Sequence, residues 1–373
     1  MSRRLALAAL LAAAPCALQG QNPVTDAADV LRQLVESYGP SGAEGPVRET
    51  ILRLLPAWAS PRVDTAGNIR IRIGQGQPLI VFVAHMDEIG FRVTAIRDDG
   101  QLTLATLGGF MPSLFEAEPA LVHTATGPVP AVFTPRDTVG PDPRRTPAVR
   151  QGARTTLQFR VDPGTGSSGG TEALGIRVGD AVTMPKRYVP LLGGAGTRAT
   201  ARSFDDRVGC AAQILALRRI DPRRMRRGVE FIFATREESG LLGARAAAAE
   251  LAGERPARVY ALDTFVSADG PLEVRTFAYA PLGRGAVARA VDNSSVTPPA
   301  LLDSLVALAQ QRGIALQVGT TNGGNDGSTF TRWGVPNVPI GWPLRYSHSP
   351  AEVIDLRDLV SMADLVTAIV ERW

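Results

Sequence analysis

The sequence predicts an α/β fold, a helix-flanked sheet interrupted by an inserted β domain, and three observations predict it. Leu79–Ala84 and Val229–Ala234 are continuous apolar runs, the pattern of strands buried on both faces of a sheet. Stretches with apolar residues at helical spacing lie before, between and after them. Between about residues 91 and 188, Gly, Pro and Thr become frequent and the helical period disappears, which is how a β insertion reads.

Taken in order, Met1-Ser-Arg-Arg4 followed by the apolar Leu5–Ala14 has the basic and apolar parts of a secretory leader. Residues 1–20 are therefore expected to be removed on export to the periplasm or the outside, leaving Gln21 first, with Ala17 an alternative end. Cys16 is a poor lipid-attachment site because Pro15 precedes it. The second cysteine, Cys210, then has no partner for an intramolecular disulfide, and its place in an apolar helical run makes it a packed thiol. From Ala27 to about Leu55, Val30, Leu31, Leu34 and Val35, then Val47, Ile51, Leu52, Leu54 and Leu55, mark two helices split by the turn Gly39-Pro-Ser-Gly42. Asn68–Ile73 alternates as a strand, and Leu79–Ala84 follows it.

Short β runs such as Leu102–Leu107 and Ala120–Thr124 characterise the insert, and Pro141–Pro147 and Gly164–Thr171 read as loops. The α/β pattern then resumes with a helix from about Val208 to Arg219 and the strand Val229–Ala234. A helix from about Gly240 to Leu251 and the strand Arg258–Leu262 continue it. The boundaries are a main α/β domain over 21–90 and 189–373, with the insert at 91–188.

Composition narrows the function classes. No internal apolar run approaches the ~20 residues of a membrane span. The net charge is only +4, the arginines are scattered, and aromatic residues are 6%, so the basic stripe with interleaved aromatics that binds nucleic acid is missing.

The chain has three histidines, His85, His123 and His348. His85 directly follows the apolar strand, where open α/β sheets present ligand-binding residues, and Asp87 two residues on is suited to orient its ring. Acids recur at comparable places: Asp205-Asp206 opens a helix, Glu237-Glu238 follows Val229–Ala234, and Asp263 follows Arg258–Leu262. His348 follows the apolar stretch Val335–Trp342. Two imidazoles and three carboxylates can hold two divalent ions when one carboxylate bridges, leaving an open place for water. Glu237 is then spare, and a carboxylate in that position can take and return a proton. His123, in an alternating β run without acids beside it, reads as structural.

These residues sit in motifs that resemble the glutamyl- and deblocking-aminopeptidase family of co-catalytic metallopeptidases, which includes the TET aminopeptidases. The motifs run in order through nearly all of the chain after the leader: Tyr38-Gly-Pro-Ser-Gly42, Asp64-Thr-Ala-Gly-Asn68, Ala84-His-Met-Asp-Glu-Ile-Gly-Phe91, Ser203-Phe-Asp-Asp-Arg-Val-Gly209, Thr235-Arg-Glu-Glu-Ser-Gly-Leu-Leu-Gly-Ala244, Ala261-Leu-Asp263, Gly283-Arg-Gly285 and His348-Ser-Pro-Ala-Glu-Val-Ile-Asp-Leu356. The resemblance implies a mixed-sheet zinc-peptidase domain flanked by helices, with a small β-barrel-like insert that serves assembly. It implies His85 and Asp263 as terminal ligands of one ion, Glu238 and His348 of the other, and Asp205, in preference to Asp206, as the bridge. Glu237 resembles the general base, Asp87 the residue orienting His85, and the Asp205–Asp206 peptide bond is expected to be cis. Two segments depart from the family pattern: Gly323-Gly-Asn-Asp-Gly-Ser328 replaces the usual Gly-Gly-Thr-Asp-Ala-Gly, and Gly108-Gly-Phe-Met-Pro112 replaces Gly-Gly-Trp-Asp-Pro.

The expectation is an exported aminopeptidase with two divalent ions per chain, zinc, cobalt or manganese, acting on peptides with a free N-terminus. A homo-oligomer, as large as a dodecamer, is its implied state. A deacylase or carboxypeptidase using the same ions, and a non-catalytic binding protein on the same fold, are the alternatives.

Overall fold

The computed structural model describes residues 22–135, 160–271, 275 and 277–373; the leader with Cys16, and the expected loop Pro141–Pro147, lie outside them. A five-stranded sheet runs in the order Arg62–Val63, Ile69–Ile73, Arg227–Ala234, Gly76–His85, Arg258–Ala261. Gly76–His85 is parallel to both its neighbours, whereas Ile69–Ile73 pairs antiparallel with Arg227–Ala234, so the sheet is mixed. Residues on a strand alternate between faces, and the central strand shows the consequence. Ile80, Phe82 and Ala84 enter a core shared with the helices Pro23–Glu36, Phe204–Arg219 and Leu356–Arg372, while Leu79, Val81 and Val83 meet the helix Leu242–Leu251 on the other face. Both faces are covered, which is why the run is continuously apolar.

Phe82 is stacked between Phe231 and Tyr260, at 5.0 and 5.1 Å between ring centroids, and is fully buried. Truncation to alanine leaves a cavity between two rings on the central strand, so Phe82→Ala should cost about 3–5 kcal/mol. Urea unfolding monitored by circular dichroism measures it, through a lowered midpoint at unchanged slope.

A second unit is a closed barrel of the strands Gly90–Ile96, Leu102–Leu107, Arg160–Asp162, Gly127–Phe133, Pro119–Thr124 and Ala181–Thr183. Its core is aromatic, with Phe91, Phe110, Phe115 and Phe133 in mutual edge and tilted contacts. Closure leaves the barrel no free sheet edge. It follows directly on the central strand, only residues 86–89 separating the two.

Two sequence expectations are corrected here. Gly164–Thr171 is not wholly a loop: a short helix, Ser168–Ala173, begins inside it, capped by the Ser167 hydroxyl accepting from Gly170 N–H. The helix expected from about Val208 spans Phe204–Arg219, but Asp205 and Asp206 depart from helical geometry within it. Regular helix begins beyond them because an Asp206 carboxylate oxygen accepts from Gly209 N–H at 2.9 Å, an N-terminal cap.

Candidate metal centre

The parallel strands deliver their carboxyl ends to one edge of the sheet, and the predicted residues arrive there. His85 ends the central strand, Glu237 and Glu238 follow Arg227–Ala234, and Asp263 follows Arg258–Ala261. His85 Nε2 lies 3.2 Å from one Asp205 carboxylate oxygen, and His348 Nε2 lies 3.4 Å from the other. Glu238 Oε1 is 3.3 Å from His348 Nε2, and Glu237 Oε2 is 3.9 Å from His85 Nε2. Two groups of donor atoms result, His85–Asp205–Asp263 and Asp205–Glu238–His348, each with its ligand atoms within 4.8 Å of one another. Asp205 is common to both.

Asp206 has a different job. Its carboxylate accepts from the backbone N–H of His85 and of Gly209, both at 2.9 Å, which ties the strand end to the helix start. The bond between Asp205 and Asp206 is cis. Asp87 is fully buried, with an oxygen 3.4 Å from His85 Nδ1. The same carboxylate accepts from Glu237 N–H at 2.9 Å and Glu238 N–H at 3.2 Å, so it positions three of the predicted residues. His123 lies apart, in the barrel, with Nε2 2.7 Å from the Thr183 hydroxyl. Cys210 is buried and its thiol points to the His85 carbonyl.

Four residues of the centre were not singled out in the sequence. Glu352 is buried and accepts from Phe204 N–H at 2.7 Å and His348 N–H at 2.9 Å, joining the supports of Asp205 and His348. Glu88 is a hub. It accepts from Gly39 N–H and the Ser203 hydroxyl, pairs with Lys186 at 2.7 Å, and lies near Arg202 and Arg207. Arg289, buried, is 3.8 Å from Asp263 and 3.3 Å from Asp292. Asp326 is buried with neither carboxylate oxygen hydrogen-bonded. Glu88, Asp326 and Glu352 all lie inside segments singled out in the sequence, but only the fold gives them neighbours.

Backbone strain concentrates at the same place. Ser203, Arg236, Tyr346 and His348 hold positive φ angles of 72°, 52°, 60° and 59°. Left-handed non-glycine residues cost about 1–3 kcal/mol each and persist where surrounding contacts hold them, such as the Glu352 carboxylate on His348 N–H.

The donor set fits divalent cations on the structure's own terms. Burial, reinforced by Asp205 and only partly offset by Arg289, pushes the Asp263 carboxyl up to about 7. Burial, reinforced by Asp87 and Asp263, pushes Asp326 up to about 8. Burial acts on Asp205 in the same direction, but hydrogen bonds from His348 and His85 hold its carboxyl well below the usual range. Crowded acids, with both Asp326 carboxylate oxygens buried and without a hydrogen bond, mark a site short of positive charge. His85, Asp205, Asp263, Glu237 and His348 open onto a cavity of about 440 Å³, walled on the barrel side by Phe110, Met111 and Leu114. Its size suits a peptide end.

Comparison with known proteins agrees with this fold. The glutamyl aminopeptidase of Lactococcus lactis is 26% identical over 356 residues, covering 92% of this chain and 95% of its own. The lysyl aminopeptidase of Pyrococcus furiosus is 27% identical over 356 residues, covering 92% and 96%. The structure of the Pyrococcus horikoshii TET1 peptidase, which can assemble into a tetrahedron or a large octahedral shell, superposes with a TM-score of 0.80 at 30% identity, covering 92% of this chain and 99% of that one. Residues 67–365 match the M42 glutamyl aminopeptidase model. The chain belongs to the M42 glutamyl aminopeptidase family, metal-dependent peptidases built on this α/β fold.

Proposed function

We propose that the chain is an exported aminopeptidase that uses two divalent cations held by five side chains. His85 and Asp263 would hold one, Glu238 and His348 the other, and Asp205 both. The observation that carries this is a single carboxylate whose two oxygens face two different histidines. Bound divalent cations supply Lewis acidity toward the scissile carbonyl and toward water. The protein's own groups do the rest. Asp87 keeps the His85 ring in place through Nδ1 and fixes the backbone of both glutamates. Glu237 is not needed as a ligand and opens onto the cavity. Burial raises its carboxyl well above the usual range, and Glu238 reinforces the effect, which makes it a stronger base than an exposed carboxylate. It would accept the proton of the attacking water and pass it to the departing amine. The reading requires a substrate whose amino terminus is free rather than blocked. That separates this reading from deacylation.

Leader and assembly belong to the same proposal. Residues 1–20 would be cleaved on export, and the similarity to a shell-forming peptidase supports a homo-oligomer, up to a dodecamer.

One preparation tests all of it. Protein recovered from outside the cytoplasm should begin at Gln21 and show by light scattering a mass several times that of one chain. It should hydrolyse aminoacyl p-nitroanilides, lose that activity to a chelator, and regain it with zinc, cobalt or manganese. Cleavage of N-acetylated substrates in preference to free-amine ones would point to the deacylase, and activity indifferent to chelation would refute the two-cation site.

A further inference from the structure

At the opposite end of the central sheet from His85, a second cavity of about 270 Å³ is lined by Arg227, Arg258, Tyr260, Leu305, Arg372 and Trp373 among others. Arg227 and Arg258 begin two of the strands, and Arg372 ends the helix Leu356–Arg372. The Trp373 indole anchors the group, its N–H donating to the carbonyls of Pro78 and Gly228 at 3.2 Å. The Arg227 and Arg258 guanidiniums stand 5.3 and 5.1 Å from the centre of that ring. The floor is apolar, with Leu305, Leu308 and Ile369 buried. The Tyr260 hydroxyl is buried with them, and burial raises its pKa, so it remains a neutral donor.

Charge is what singles this cavity out. Among the described residues, no carboxylate lies within 4.0 Å of any of the three guanidiniums. The nearest acid in sequence, Glu371, is committed to Arg312 at 2.8 Å. The carboxyl end of the helix Leu356–Arg372 offers about half a unit of negative charge and the Trp373 α-carboxylate one more, which leaves the three positive charges in excess. Another arginine cluster, at the edge of the same sheet, is balanced: Arg62, Arg70 and Arg72 share Glu230, Glu250 and Glu254. Like charges gathered around a partly apolar cavity repel, and an anion seated among them would remove that repulsion while taking paired hydrogen bonds from the guanidiniums.

We propose that this cavity is a binding site for a small oxyanion, a phosphate- or carboxylate-bearing molecule with an apolar portion to lie on Leu305 and Leu308. It lies toward the other end of the strands from the metal centre, where Arg258 is level with Ile80, five residues and roughly 17 Å before His85, so its occupant is not the peptide being cleaved. The inference does not rest on the catalytic reading.

The test is the melting temperature of the metal-loaded protein in inorganic phosphate, and separately in citrate, against chloride at equal ionic strength. With millimolar affinity, 10 mM of the matching anion should raise the melting temperature by about 2 °C. Arg372→Glu, an exposed change on the last helical turn that leaves the core untouched, should weaken the binding at least tenfold and abolish the shift. Arg258→Ala should do the same. A larger effect of phosphate than of citrate identifies a phosphorylated ligand, and the reverse a polycarboxylate. No shift with either anion overturns the proposal. So does a shift that survives in both variants, since the anion would then be binding at the cations or elsewhere.

Discussion

Asp205→Asn should strip the protein of both cations and lower kcat/KM by at least about a thousandfold while the fold survives. One Asp205 oxygen is 3.2 Å from His85 and the other 3.4 Å from His348, so this carboxylate is the sole member common to the two ligand groups. An asparagine at that position keeps one neutral oxygen and turns an NH₂ group toward the other histidine. Each site would lose a negative ligand at once, and divalent cations held by carboxylates depend on that charge. The backbone at 205 is held from elsewhere, chiefly by Glu352 accepting from Phe204 N–H, so the helix start should persist. Metal analysis and kinetics on the same preparation, beside a circular dichroism melt, give the three readouts. Asp206→Ala supplies the contrast. That carboxylate bonds the His85 and Gly209 amides, so its loss should lower the melting temperature before it lowers activity per bound ion. A fully metallated, active Asp205→Asn protein would remove the bridging role.

The contrast between the two aspartates also shows what the sequence could and could not disclose. Adjacent acids at a helix start look alike in a string of letters, and residue type alone left either of them free to bridge. What separates them is that the Asp206 carboxylate takes two backbone amides, of residues 121 and three positions away, while Asp205 faces the two histidines. The sheet was legible because Leu79–Ala84 is apolar at every position, a requirement of a strand covered on both faces and visible locally. His85, Glu237, Glu238 and Asp263 were legible for the same reason: each stands just beyond such a strand. Glu88, Arg289, Asp326 and Glu352 were not, because their partners are not local. Glu352 reaches Phe204 across 148 residues, and Glu88 reaches Lys186, which sits next to the barrel, from the end of the central strand. The short helix Ser168–Ala173 was obscured by glycines, which lower helix propensity, and owes its start to a serine cap that reads equally as a loop residue.

The largest separable effect on turnover is expected at Glu237. Glu237→Gln preserves size and removes only the ability to carry a proton, so kcat should fall by about 10²–10⁴ with KM little changed. Its position supports a proton-transfer role over a ligand role. Both donor groups are complete without it, it lines the cavity, and its backbone is held by Asp87 whatever the side chain does. Cation content should therefore stay at the wild-type level, the opposite of the Asp205→Asn result, and the two variants together separate holding the cations from moving the proton. The raised carboxyl of Glu237 has a sign that can be checked as well: the base works only when deprotonated, so in the intact enzyme activity should fall as pH drops through its pKa. With Glu237→Gln that acid limb should vanish from the residual activity. If the limb stays, or if the variant loses its cations, the proton carrier is another group.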